Sequence, residues 1–371
     1  MTVLVTGGAG FIGSHLVDAL LARGHAVRVL DALEPQVHGP GRKPPPWLPA
    51  AVDLRVGDVR DRATVRAALD GVEVVFHQAA AVGVGQSMYE IERYVSANAL
   101  GAAVLLEELV EHRDRLRRVV GASSMSLSGE GAYRDADGAP VHPGPRPTAQ
   151  LEARRWEPED GRGRPLVPVP TPESAPLAPT SVYAVTKRDH EELFLAVGNA
   201  YGIPTVALRY FNVFGTRQAL GNPYTGVVAI FSSRLLRGRA PVLFEDGGQS
   251  RDFVHVSDIV AANLLAMEKD AAVGRTYNVG TGRATPIAAV AEALARALGV
   301  EVEPERTGRF RAGDIRHCFA DVSAISRELG FEARTTLEAG LAELLAWLRT
   351  QSAEDRVAEA RAALERRGLA R

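Results

Sequence analysis

Short, largely apolar runs recur through the first third of the chain, and helical patterns lie between them. Thr2–Thr6, Ala26–Leu30, Leu54–Val56, Val72–Phe76 and Arg118–Ser124 are of the buried-strand kind. Between the first two, Leu16, Val17, Leu20 and Leu21 fall on one helical face, with Ser14 placed to cap that helix and Gly24 to end it. Ser96–Glu111 reads as a long helix with Leu105, Leu106 and Leu109 on its apolar side. Apolar strands separated by helices predict a parallel sheet covered on both faces. Pro204–Gly215 reads as a sixth strand and turn, Leu337–Leu348 as an amphipathic helix, and the Glu/Arg-rich Asp355–Arg371 as an exposed helix or frayed tail.

Composition narrows the class without naming a function. At 371 residues the chain suits one large α/β unit or two lobes sharing a core. Apolar residues at 46% and charged ones at 24% are ordinary for a globular enzyme. A net charge of −2 gives no electrostatic case for nucleic acid or an anionic membrane. The single cysteine, Cys318, excludes an intrachain disulfide and any cysteine-only metal site, and no metal is expected. No apolar run approaches a membrane span, and Val3-Leu4-Val5 lacks the basic flank of a signal peptide, so the expected compartment is the cytoplasm.

The loops after the strands carry the chemistry. Gly7-Gly-Ala-Gly10-Phe11-Ile12-Gly13 lies between strand and helix, the context of a phosphate-binding turn. There Gly7 makes the turn, Gly10 admits the pyrophosphate and Gly13 lets helix pack on strand. Asp31 ends the second strand, eighteen positions after Gly13. A carboxylate there accepts from a ribose 2′-hydroxyl and repels a 2′-phosphate, which predicts NAD over NADP. Later loops of such a sheet line the cofactor crevice. Asp58 and Val59 are therefore candidates for the adenine, and Ala79 and Ala80 for ribose and diphosphate. Asn98 either holds the cofactor loop or caps its helix, and His77 reads as a packed strand-end histidine. Ser181-Val-Tyr183-Ala-Val-Thr-Lys187 puts a phenol and an ammonium one helical turn apart, where the positive charge would lower the phenol's pKa.

The glycine turn, Asp58-Val59, a strand ending Ser123-Ser124 and Tyr183-x-x-x-Lys187 together resemble the extended short-chain dehydrogenase/reductases, above all those acting on nucleotide sugars. The resemblance covers about nine-tenths of the chain. It implies a Rossmann-type, doubly wound α/β sheet over 1–210, with an insertion at 130–180 and a return at 252–278. A smaller C-terminal substrate lobe would be built from 211–251 and 279–371. It makes Ser124, Tyr183 and Lys187 the catalytic triad: Ser124 orients a sugar hydroxyl, Tyr183 moves its proton, and Lys187 holds the ribose. It places Met125 and Ser126 against the sugar, Asn212 and Asn222 in the sugar-nucleotide pocket, and Arg251, Arg311, Asp314 and Arg316 around diphosphate and base. The stretch from Gln218 to Phe231 resembles the loop of 4-epimerases of the dTDP-L-rhamnose kind.

Two departures bear on the reaction. No carboxylate follows Ser124 before Glu130, whereas related 4,6-dehydratases need an acid there to move a second proton. The 59 positions from Ser124 to Tyr183 far exceed a strand-to-helix link, and the excess is either a lid or oligomer contact, or a tolerated surface excursion. The resulting expectation is an NAD-dependent 4-epimerase of dTDP- or UDP-hexoses. A ketoreductase or 4,6-dehydratase of the same family is the alternative, and a silent NAD-binding regulator a further one. The resemblance also implies a homodimer through a four-helix bundle, and Val104, Leu105, Leu106, Leu109 and Val110 with Leu193, Phe194, Leu195 and Val197 are the apolar residues available to it.

Overall fold

The apolar runs become parallel strands: β1 (Thr2–Thr6), β2 (Ala26–Asp31), β3 (Asp53–Val56), β4 (Val74–His77), β5 (Arg118–Ser124), β6 (Thr205–Tyr210) and β7 (Thr276–Val279). They pair in the order 3-2-1-4-5-6-7, every pair parallel, in a computed structural model that describes residues 1–222, 224–311, 313–351 and 357–369. After β3 the chain returns past β1 to form β4, so a crevice opens between β1 and β4 at the carboxyl edge. Register brings the strand ends together there, with Thr6 beside His77 and Ser124 beside Tyr210.

The sheet is apolar on both faces because its strands alternate between two covers. The first helices are α1 (Phe11–Ala22), α2 (Arg62–Ala68), α3 (Gly101–Glu111) and α4 (Val182–Tyr201). They are followed by α5 (Val227–Leu235), α6 (Val256–Glu268), α7 (Ile287–Leu298), α8 (Leu337–Leu348) and α9 (Val357–Arg366). Val3 and Val5 join Leu16 and Leu20 of α1 and Ile259 of α6 in one core. Leu4, one position out of phase, joins Val65 of α2, Leu105 and Leu109 of α3 and Phe194 of α4 in the other. A third cluster, from Phe214, Phe231, Phe253, Leu294 and Leu344, builds the smaller lobe from residues on both sides of α6. Among the described residues, no helix is long and apolar enough to cross a membrane.

Four local expectations change. Helix α1 begins at Phe11 with Gly10 as its capping position, and buried Ser14 donates instead to Phe11 O at 3.1 Å. The long helix starts at Ile91 and carries a π-helical segment, Val95–Leu100, before α3. Leu105, Leu106, Leu109 and Phe194, counted above as available for a dimer, lie in this chain's own core. The large apolar residues left exposed on these helices are Ile91, Val95, Leu100, Val185 and Tyr201, all more than 40% accessible. The C-terminal segment is not a bare exposed tail: Ala360 and Leu364 of α9 are buried, while residues 352–356 and 370–371 lie outside the described set.

The insertion forms a small antiparallel sheet from Ala132–Arg134, Pro140–Val141 and Val167–Val169. It is no loose excursion, because buried charges tie it to the smaller lobe. Arg146 bonds Glu245 through two nitrogens at 2.8 and 3.0 Å. Arg316, 3% exposed, reaches Glu157, Glu245 and Asp246 at 2.6, 3.0 and 2.7 Å. His317 bridges Ser250 at 2.7 Å and Glu157 at 2.8 Å. Burial pushes the Glu157 carboxyl up, but hydrogen bonds from His317 and Arg316 outweigh it and hold it at about 2.

Candidate active site

A cavity of about 760 Å³ runs along the carboxyl edge of the sheet and into the smaller lobe. Its floor is the glycine turn. Gly7 takes a φ of +68°, and a Cβ there would lie 2.7 Å from Ala79 N, while one on Gly13 would sit 2.2 Å from Gly7 O. Only glycine permits this approach of backbone to backbone, and it leaves room beside Gly10 for a ligand. Asp31 at the end of β2 faces the same cavity, its two oxygens taking Ala9 N at 2.9 Å and Leu33 N at 2.8 Å. Each carboxylate oxygen keeps a second lone pair, so the anchored acid still has acceptor capacity for a ribose hydroxyl. These residues and the cavity's volume fit a dinucleotide.

The adenine-side candidates are partly occupied by the protein. Asp58 lines the cavity, but it accepts from Arg60 Nη2 at 2.6 Å, and that bond holds its carboxyl below the usual range. Val59 lines the cavity while packing over Gly101. Ala79 and Ala80 line the wall after β4. Asn98 lies behind that loop: it accepts from Ala81 N at 2.7 Å, donates to Ala81 O at 3.1 Å, and donates to Thr186 Oγ1 at 3.0 Å. It holds the cofactor loop against α4, and the π-helical turn puts it in reach of both. His77 is a packed residue. Its Nδ1 meets Thr6 Oγ1 at 2.7 Å, its ring stacks on Phe194, and burial pushes it down to about 3.

Ser124, Tyr183 and Lys187 converge where β5 meets α4. Ser181 caps α4 by accepting from Ala184 N, which sets Tyr183 and Lys187 on its first two turns, and all three side chains line the cavity. Ser126 donates from N at 3.2 Å and from Oγ at 2.9 Å to Ser124 Oγ, fixing that oxygen. Burial pushes the Tyr183 phenol up, and a hydrogen bond with Ser124 opposes it. Lys187 Nζ donates to Ala122 O at 2.6 Å, and burial lowers the ammonium to about 8. The expected lowering of the phenol by Lys187 is therefore not met by the chain alone, because desolvation of a wholly buried phenol dominates.

On the substrate side, Met125, Ser126, Asn212, Asn222, Arg251, Arg311 and Asp314 all line the cavity. Asn212 Oδ1 and Gln218 Oε1 are buried there without a protein partner, so both acceptors are open to a ligand. Asn222 is already used, accepting from Gln36 Nε2 at 3.0 Å. Arg251 donates to Ile315 O at 2.7 Å, and Arg311 pairs with Asp314 at 2.7 Å over the Phe244 ring. Arg316 departs from its expected place. Three carboxylates surround it outside the cavity lining, so its charge serves the fold. Glu130, the first carboxylate after Ser124, is likewise buried beside Arg146 and outside the lining. Sequence reasoning missed Gln218 and the α9 residues Ala360, Arg361 and Leu364; only Gln218 carried a signal, through its position in the loop after β6.

A doubly wound sheet with a glycine cradle after β1, an acid after β2 and a Ser/Tyr/Lys cluster at its crevice defines a dinucleotide-dependent enzyme of the short-chain dehydrogenase/reductase type. The chain belongs to the NAD dependent epimerase/dehydratase family, whose profile matches residues 3–148 and 161–280, and its cofactor is NAD. It is 38% identical to a dTDP-L-rhamnose 4-epimerase from Burkholderia thailandensis, over 93% of this chain and 94% of that one. Among solved structures it is similar to UDP-glucose 4-epimerase from Thermotoga maritima with UDP-glucose, at 31% identity and a TM-score of 0.76 over 94% and 99% of the two chains. It also matches the complex of Thermus thermophilus UDP-glucose 4-epimerase with NAD, at 30% identity and a TM-score of 0.73 over 95% and 100%.

Proposed function

We propose that the protein is a nucleotide-sugar 4-epimerase that works through a transient 4-keto sugar and keeps its NAD bound throughout. The observation that carries this reading is the Ser124–Tyr183–Lys187 cluster on a cavity whose only lining carboxylates, among the described residues, are Asp31, Glu34, Asp58 and Asp314. None of these lies in the Met125–Ser128 turn that follows Ser124. Removal of a C5 proton and expulsion of a C6 hydroxyl call for acid and base beside the reacting sugar; oxidation at C4 and its reversal do not.

Ser124, held by Ser126, orients the C4 hydroxyl, and Tyr183 takes and later returns its proton. Lys187 donates towards the ribose from its place beside Ala122 O. Bound NAD supplies the hydride acceptor and donor, and in its oxidised form a positive charge that opposes the upward push of burial on Tyr183. Asn212 and Gln218 offer acceptors to the sugar hydroxyls. The similarity to a dTDP-L-rhamnose enzyme and to UDP-glucose enzymes supports a dTDP- or UDP-hexose, 6-deoxyhexoses included, as substrate. Exposed Ile91, Val95, Leu100 and Val185 support a homodimer through the long helices, which light scattering at micromolar concentration tests.

The test is proton NMR of the NAD-loaded protein in deuterated water with dTDP- and UDP-sugars and no added cofactor. The expected product is the C4 epimer without deuterium at C4 or C5. Deuterium at C5, or loss of the C6 hydroxyl, refutes the reading.

A further inference from the structure

One face of helix α9 forms part of the cavity wall. Ala360, Arg361 and Leu364 line the same cavity as Ser124 and Tyr183. The helix is anchored on two sides. Towards the dinucleotide, Leu364 lies 3.5 Å from where a Cβ on Gly85 would stand, and the Arg367 guanidinium covers the Tyr89 ring at 4.2 Å. Towards the smaller lobe, Glu365 accepts from Arg309 Nη1 at 2.6 Å.

The charges on and behind that wall repeat one arrangement: Arg251, Arg311, Asp314 and Arg361 line the cavity, while Arg309 and Glu365 stand outside its lining. Glu365 is shared by Arg309 and Arg361, the second donating from Nε at 2.9 Å. Asp314 is shared in the same way by Arg311 at 2.7 Å and Arg251 at 3.4 Å. Each triplet carries one more positive than negative charge, and in each the carboxylate holds its arginines in place without neutralising them both. Arg361 of one triplet and Arg251 and Arg311 of the other line the cavity, cations for the roughly two negative charges of a diphosphate. Among the described residues Arg361 bonds Glu365 through Nε alone, which leaves its Nη nitrogens for a further acceptor.

We propose that α9 is part of the sugar-nucleotide site and that Arg361, positioned by Glu365, contacts the diphosphate of the bound nucleotide. The proposal rests on the sugar-nucleotide reading above. It follows that α9, held at Gly85 and Tyr89 on one side and at Arg309 on the other, slows the nucleotide's release.

Calorimetric titration of the NAD-loaded protein with dTDP and with UDP tests this without relying on turnover. Arg361→Gln is expected to bind the nucleoside diphosphate about tenfold more weakly, with Arg361→Lys between it and the parent and with bound NAD per chain unchanged. In turnover the same variant is expected to show the loss in KM. A chain ending at Gln351 should release the nucleotide faster than the full chain, which gives a second readout if Arg361→Gln folds poorly. Equal affinities for the parent and Arg361→Gln, or equally slow release from the shortened chain, overturn this proposal alone. Binding of neither nucleoside diphosphate by the NAD-loaded parent overturns the sugar-nucleotide reading, and this proposal with it.

Discussion

Lys187 is a charge that the fold holds at a cost, and the cost is measurable. The side chain is 3% exposed, its one protein hydrogen bond runs to Ala122 O at 2.6 Å, and burial lowers the ammonium from 10.5 to about 8. A shift of this size corresponds to about 3 kcal/mol of unfavourable free energy. Because the folded pKa lies below the unfolded one, the unfolded chain binds more proton between pH 8 and 10.5. The penalty is therefore full below pH 8 and fades as pH rises through that window. Lys187→Met keeps the volume, removes the charge and forfeits the bond to Ala122 O, a loss of about 1 kcal/mol. In NAD-free protein the variant is thus expected to be more stable at pH 7 by about 2 kcal/mol, although it has lost a group proposed to act in catalysis. Urea midpoints at pH 7 and 9.5 check this; His77 and His190, which burial and Lys187 hold down, stay neutral at both values, so their change does not enter the comparison. A variant less stable than the parent at pH 7, or a difference independent of pH, would refute the reasoning.

Tyr183→Phe should retain NAD and the fold while turnover with the sugar nucleotide falls by at least about two orders of magnitude; near-parental turnover would exclude Tyr183 as the acid/base. NADP should bind cofactor-free protein more weakly than NAD by about 2 kcal/mol, because Asp31 lines the cavity at the end of β2, where a carboxylate would repel a 2′-phosphate; equal affinities in a direct titration would mean that Asp31 does not read the ribose. Arg316→Met leaves Glu157, Glu245 and Asp246 without their shared cation, and should destabilise the protein by about 3–5 kcal/mol, seen as a lowered melting temperature. An unchanged melting temperature with weakened nucleotide binding would return Arg316 to the substrate.

The glycine turn, the acid after β2 and the Tyr183–Lys187 pair were legible from the chain because each depends on short-range geometry. Gly7 and Gly13 are demanded by backbone approaching backbone, and a spacing of four on α4 puts two side chains on one face wherever that helix docks. The strand alternation that puts Val3 on one cover and Leu4 on the other is local in the same sense. What the arginines do is decided elsewhere. Arg311 and Arg316 stand five positions apart in one charged stretch, yet Arg311 lines the cavity, whereas Arg316 is enclosed by Glu157, Glu245 and Asp246 from distant parts of the chain. The Glu/Arg-rich end reads as solvated until α9 docks, when Leu364 meets Gly85 and Arg361 joins the wall. The protonation of Tyr183 belongs to the same class: the spacing to Lys187 predicts a lowered phenol, but full burial raises it. Periodicity and turn chemistry act over a few residues, so the scaffold and the proposed catalytic cluster can be read from the order of amino acids alone. Burial and charge pairing join residues far apart in the chain, so the packed fold alone sets which cations face the substrate and how the phenol is held.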